Sequence, residues 1–120
     1  MYVCVLRAKL HNLRVTGTRL DYVGSLSVDA ALLEAAGLFP YEQVQVYNVN
    51  TGARFETYLI PAPAGSRTAE VNGAAARLAE VGDRLIVAAY AWVAPDTARH
   101  VRPRILILDD ANEVLQRIGE

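Results

Sequence analysis

The sequence predicts a small, mainly β protein, a closed barrel carrying short helices. Three observations predict it. Short apolar stretches separated by turn residues recur along the whole chain. Only two of the intervening segments carry helix-start signals followed by an apolar run in the body of the chain. A faint internal repeat also suggests a two-fold: Val49-Asn50-Thr51-Gly52-Ala53-Arg54 echoes Val71-Asn72-Gly73-Ala74-Ala75-Ala76-Arg77, and Ala36-Gly37 before Val44 echoes Val81-Gly82 before Leu85.

The elements follow in order. Val3 with Val5, and Leu13 with Val15, read as two strands broken by the polar Lys9-Leu10-His11-Asn12. Ser25 opens a short strand to Val28. Asp29 is a good N-cap for a helix over Ala30–Ala36, which Gly37 closes. Gln43-Val44-Gln45-Val46 alternates as a half-buried strand. Asn50-Thr51-Gly52 then turns the chain into a strand over Arg54–Ile60, so the two form a hairpin. Pro61–Gly65 is a loop and Thr68–Val71 a strand. Asn72-Gly73 leads into a helix from about Ala74 to Ala79. Leu85–Val93 is a long buried strand, and Ile105–Leu108 another. Asp110-Ala111-Asn112-Glu113 resembles a capping box that starts a C-terminal helix.

Composition bounds the function. The chain has 120 residues, 52% of them hydrophobic, and a formal net charge of −1. That fits one domain burying roughly two-thirds of its unfolded surface. Near-neutral charge and scattered tyrosines argue against nucleic acid as a partner, including the single strands that oligonucleotide-binding barrels take. The longest apolar run, Leu85–Ala94, ends at Pro95, well short of the roughly 20 residues of a membrane span. No secretory signal is evident, since Arg7 and Lys9 interrupt the N-terminal apolar run, so a cytoplasmic protein is expected. Cys4 is the single cysteine and reads as a small strand residue. Of the 12 basic residues, 11 are arginine and one is Lys9. A lysine retained against so strong a bias is a candidate for chemistry.

Four segments carry chemistry. The first is Tyr22-Val23-Gly24-Ser25. A serine hydroxyl can attack the carbonyl before it, and the resulting ester can eliminate and hydrolyse to leave a pyruvoyl group. The pair Gly65-Ser66 has the same composition in a Pro/Ala/Gly-rich stretch and reads as a turn. The second is Arg54-Phe55-Glu56-Thr57-Tyr58. Arg54, Glu56 and Tyr58 share one strand face, with Arg54 and Tyr58 roughly 13 Å apart. Arginine offers a fork for a carboxylate and tyrosine a proton donor. Glu56 between them would repel an anion, so either the strand bulges or Glu56 pairs with Arg54. The third is Asn72-Gly73-Ala74-Ala75-Ala76, a turn into a helix whose first N–H groups are free for an oxygen ligand. The fourth is Lys9 with His11, which share a face if their stretch is extended. No metal site is expected: two histidines lack carboxylates at ligand spacing. His100, beside Arg99 and Arg102, reads as surface. No nucleophile elbow or phosphate loop occurs.

Together, Lys9-Leu10-His11, Tyr22-Val23-Gly24-Ser25, Arg54 with Thr57-Tyr58, and Val71-Asn72-Gly73-Ala74-Ala75-Ala76 resemble the bacterial pyruvoyl-dependent aspartate 1-decarboxylases, in that family's order and spacing. Asp21 and Arg77 depart from the family pattern. The resemblance implies a six-stranded double-psi β-barrel, a fold that Val81-Gly82-Asp83 also suits. It implies cleavage between Gly24 and Ser25 into chains 1–24 and 25–120, with Ser25 becoming a covalent pyruvoyl group. By the same resemblance, Ser25 forms the Schiff base with L-aspartate and Tyr58 donates the proton. Lys9 and Arg54 meet the substrate carboxylates, and Thr57, Asn72 and the Gly73–Ala75 backbone hold the substrate. Gly24, Ser25, Thr57, Tyr22 and His11 serve self-processing. It further implies a homotetramer with sites between subunits, β-alanine supply for pantothenate, and room for a separate maturation factor. The competing expectation is a non-catalytic β-barrel binding module in which Gly24-Ser25 is a turn.

Overall fold

The polar interruption near the N-terminus does not break the first strand. In the computed structural model, which describes residues 1–23 and 25–119, β1 runs unbroken over Val3–Arg14. Gly24, expected to take part in self-processing, lies outside the described residues. The two strands expected here are therefore one. Its register against its neighbour shifts between Leu6 and Ala8 and again between His11 and Leu13, where Asn12 takes φ 67°. An extra residue at each shift restores the inward phase, so Ala8, Leu10 and Leu13 are all buried while Lys9 and His11 face outward.

Eight further strands follow among the described residues: β2 Gly17–Arg19, β3 Leu26–Asp29, β4 Gln43–Asn48, β5 Arg54–Ala62, β6 Ala69–Asn72, β7 Arg84–Val93, β8 Arg104–Leu108 and β9 Val114–Ile118. They pair in the order β2-β6-β3-β5-β4-β7-β1-β8-β9. The pairs β2–β6, β3–β5 and β1–β8 are parallel and the rest antiparallel. The run β1–β2 is nearly continuous and changes partner as it goes. Val15 N–H donates to Asp83 O at 2.9 Å, beside β7, and Thr16 N–H to Ala69 O at 2.8 Å, on β6. The chain pairing β7 at its start thus pairs β6 at its end, which closes a six-stranded barrel from β1/β2, β3, β4, β5, β6 and β7. Alternating residues fill it, among them Leu10, Leu26, Val44, Val46, Leu59, Val71, Leu85 and Val87.

The expected β4–β5 hairpin forms in regular register from Gln43↔Tyr58 to Tyr47↔Arg54. β5 extends to Ala62, so the loop expected from Pro61 starts later. The helix expected over Ala74–Ala79 is a 3-10 helix over Gly73–Leu78. β7 is buried only through Ala89; Tyr90 and Trp92 are exposed, so the long strand is not buried along its whole length. Cys4, opposite Trp92, is exposed too. A four-residue helix, α2 Pro95–Ala98, follows β7.

The capping-box expectation for the C-terminus is overturned. Asp109 Oδ1 accepts from Ala111 N–H and Glu113 N–H, both at 2.9 Å, and Asn112 takes φ 59°. A left-handed residue ends any helix there. The buried Asn112 side chain instead accepts from Arg14 N–H and donates to Arg14 O and Arg67 O. These bonds pin the β8–β9 hairpin against the end of β1.

The helix α1, Ala30–Ala36, forms as expected, with Asp29 as N-cap and Gly37 left-handed at φ 71°. Leu32, Leu33 and Ala36 cover one end of the barrel. Asp29 also does more than cap. Its fully buried carboxylate accepts from the N–H groups of Ala31, Gly65 and Arg67 and from the Arg67 guanidinium at 3.3 Å. Burial alone pushes the carboxyl pKa up. The three backbone donors and Arg67 outweigh it, and the pKa is lowered. A lowered folded pKa contributes stability above the ordinary carboxylate value of about 4, lost as pH falls through the folded value. Asp29→Ala removes a cap and leaves the part-buried Gly65 and Arg67 N–H bonds without their acceptor, so a loss of about 2 kcal/mol is expected. The urea midpoint measures it, and a midpoint unchanged at neutral pH would contradict this reading.

Candidate active site

Strand pairing sets the surroundings of Ser25. It lies just before β3, where Leu26 pairs Leu59 of β5 on one side and Val71 of β6 on the other. One residue earlier, Ser25 therefore falls between Tyr58 and Asn72. Its carbonyl accepts the Asn72 N–H at 2.7 Å. A cleft of about 410 Å³ opens here, lined by Ser25, Gln43, Glu56, Thr57 and Tyr58. That volume lies within the range of small-molecule sites.

Two buried polar atoms beside it lack partners. Asn72 is fully buried; its Nδ2 donates to Ser27 Oγ at 3.3 Å, and its Oδ1 is unpartnered. Thr57 is 8% exposed, and its Oγ1 is unpartnered as well. Such groups cost about 1–3 kcal/mol each when unsatisfied, which marks a place built for a ligand or for reacting backbone. Of the two, the Thr57 hydroxyl can donate or accept, while the Asn72 amide oxygen can only accept. Tyr58, 37% exposed, carries its ring to the cleft.

The third segment joins the same place. Asn72 precedes the 3-10 helix directly, and Gly73 takes φ 64°, a conformation L side chains rarely adopt. The Tyr22 carbonyl oxygen lies 3.6 Å from where a Cβ on Gly73 would stand, which places Tyr22 against this turn. Ala75 packs against the core and Ala74 is exposed. Their N–H groups open the helix, where no intrahelical acceptor exists.

The cations stand elsewhere. Cross-strand register puts Lys9, Ala88, Gln45 and Glu56 in one row across β1, β7, β4 and β5. Three strand spacings, roughly 14 Å, separate Lys9 from β5 within the chain. Lys9 does not line the cleft. His11 heads the adjacent row, through Ile86 and Tyr47 to Arg54. Burial lowers the His11 pKa, with Lys9 adding to the effect, so its imidazole is neutral at pH 7; its buried Nδ1 has no partner. Lys9 and His11 do share a face, as expected for an extended stretch.

Neither alternative for Glu56 holds. The strand does not bulge, since the β4–β5 register is unbroken. Glu56 does not pair with Arg54 either: it accepts from Gln45 Nε2 at 2.9 Å, while Arg54 stacks on Tyr47. Gln43, Gln45 and Tyr47 belong to the site surroundings but stand in no motif. The signal that finds them is the hairpin register itself, once Asn50-Thr51-Gly52 is read as its turn. The second Gly-Ser pair is the turn expected: Gly65 has φ 83°, and Ser66 N–H donates to Pro63 O. No cluster of three or more metal-ligating side chains occurs among the described residues, and no helix there is long and apolar enough to cross a membrane.

Comparison with known proteins identifies the family. The family model described as aspartate decarboxylase matches residues 1–115. The chain is 56% identical over 114 residues to the aspartate 1-decarboxylase of Salinibacter ruber, covering 95% of this chain and 78% of that protein. It is 54% identical to that of Coprothermobacter proteolyticus, covering 95% and 93%. With the Bacillus licheniformis enzyme it shares 44% identity over 120 residues, covering 100% and 94%.

Proposed function

The chain belongs to the aspartate decarboxylase family, and from that premise we propose a carboxy-lyase that converts L-aspartate to β-alanine and CO₂. β-Alanine supply for pantothenate is its place in metabolism. The observation that carries the reading is local. Ser25 is held by the Asn72 N–H at 2.7 Å beside two unpartnered buried oxygens, Thr57 Oγ1 and Asn72 Oδ1.

Self-processing comes first. The Ser25 hydroxyl attacks the Gly24 carbonyl, and the peptide becomes an ester. Elimination across Cα–Cβ of residue 25 releases Gly24 as a carboxylate, and water then displaces ammonia to leave a ketone at the new N-terminus. Chains 1–24 and 25–120 result. Thr57 Oγ1, with no other partner among the described residues, donates to the oxygen that gains charge during attack. Tyr22 shapes the turn against Gly73, and neutral His11, which shares the face of Lys9 and does not line the cleft within one chain, is supplied by a neighbouring copy to accept a proton.

The pyruvoyl group so formed supplies the electron sink that loss of CO₂ from an α-amino acid requires. The protein's own residues bind and protonate. Arg54 and Lys9 hold the two carboxylates of aspartate, and Asn72, Thr57 and the N–H groups of Gly73–Ala75 orient the reacting end. Tyr58, on the cleft wall, delivers a proton to Cα from its hydroxyl. Lys9 stands three strands away in the same chain, which supports an oligomer, a homotetramer with sites between subunits, in which a neighbouring copy supplies it. The enzyme works in the cytoplasm.

Incubation with L-aspartate should yield β-alanine and CO₂ in equal amounts. L-Glutamate, one methylene longer, should turn over at least about tenfold more slowly. Absence of β-alanine from a fully processed sample would overturn the proposal.

A further inference from the structure

Arg54 and Glu56 present a problem that the fold resolves. They stand two residues apart on the exposed face of β5, roughly 7 Å between Cα atoms. Opposite charges so placed can pair, and a guanidinium paired internally is lost to an external carboxylate. They do not pair. Each is engaged by the residue directly opposite on β4, Tyr47 for Arg54 and Gln45 for Glu56. The Arg54 guanidinium carbon lies 4.4 Å from the Tyr47 ring centroid, and Gln45 Nε2 donates to Glu56 at 2.9 Å.

Stacking uses the face of the guanidinium and leaves its edge donors for hydrogen bonds. No carboxylate among the described residues forms an ion pair with Arg54. The Tyr47 ring is held in turn: its hydroxyl lies 2.8 Å from that of Tyr90 on β7. The Tyr47 hydrogen bond, helped by burial, pushes the Tyr90 phenol up to about 12, so the Tyr90 hydroxyl stays protonated at neutral pH.

The geometry points to Tyr47 and Gln45 as positioning residues that keep Arg54 free for a substrate carboxylate, with the Tyr90 hydroxyl anchoring the Tyr47 ring. The inference rests on the proposed role of Arg54 in holding aspartate.

Succinate is the probe, a dicarboxylate with no amino group and so no covalent reaction at the site. Titration calorimetry on the processed protein should show Tyr47→Leu binding it about tenfold more weakly. KM for L-aspartate should rise by a similar factor, with kcat changed less than about twofold. Tyr47→Phe, which keeps the ring, should retain most of the affinity. Adding Glu56→Gln to Tyr47→Leu removes the competing carboxylate and should restore most of the loss. A general packing defect at Tyr47 would not be rescued that way. Wild-type succinate affinity in Tyr47→Leu, or no recovery in the double variant, overturns the inference. Arg54→Gln separates the two levels. If it weakens succinate while Tyr47→Leu does not, only the positioning role fails. If Arg54→Gln leaves succinate binding intact, the carboxylate-holding role fails, and the inference with it.

Discussion

Ser25→Ala is expected to leave a single intact chain with no detectable decarboxylation. The effect is total because one hydroxyl serves both events: it is the nucleophile that breaks the Gly24-Ser25 bond, and its residue becomes the ketone. The fold should survive. Ser25 takes part in structure through its backbone carbonyl, which accepts the Asn72 N–H at 2.7 Å, and alanine keeps that carbonyl. Stability should stay within about 1 kcal/mol of the parent. Substantial β-alanine formation by Ser25→Ala would remove Ser25 from the mechanism.

Tyr58→Phe is expected to separate the two reactions. Cleavage should proceed normally, because the Ser25 attack does not use the Tyr58 hydroxyl. Turnover of L-aspartate should fall about 10²–10⁴-fold, the usual contribution of a positioned proton donor. KM should change little, since the ring remains on the cleft wall. Tyr58 is partly exposed and its hydroxyl makes no hydrogen bond within the chain among the described residues, so removing that oxygen leaves no buried partner stranded. Single-turnover kinetics on the fully processed variant measure the chemical step directly. Decarboxylation at the parent rate would show that another group supplies the proton.

Much of the architecture was legible because local signals and global structure agree. Asp29 and Gly37 mark both ends of α1 through cap chemistry that depends on neighbours in sequence. Gln43–Val46 alternates because one side of β4 faces the core. The failures have equally specific causes. Asp110-Ala111-Asn112-Glu113 has a capping-box pattern, but the Asn112 side chain is drawn into the backbone of Arg14, 98 residues away in sequence. Lys9-Leu10-His11-Asn12 looked like a break because a bulge shifts the apolar phase by one residue. In the site, Ser25, Thr57, Tyr58, Asn72 and Gly73 were identifiable from segments and came together through β3 pairing with β5 and β6. Lys9 did not join them within one chain. The partners of Arg54 and Glu56 were hidden for another reason: they depend on cross-strand register, and the charge sequence alone favours the pairing that Tyr47 and Gln45 prevent.

The central claim is that the protein makes its own reactive group at Ser25, and intact-mass spectrometry of the purified protein tests it most directly. The account predicts two chains, residues 1–24 and residues 25–120, with the larger bearing an N-terminal ketone that borohydride reduces with a gain of two hydrogens. A sample that remains one uncleaved chain of 120 residues after prolonged warming, yet forms β-alanine from L-aspartate, would contradict it.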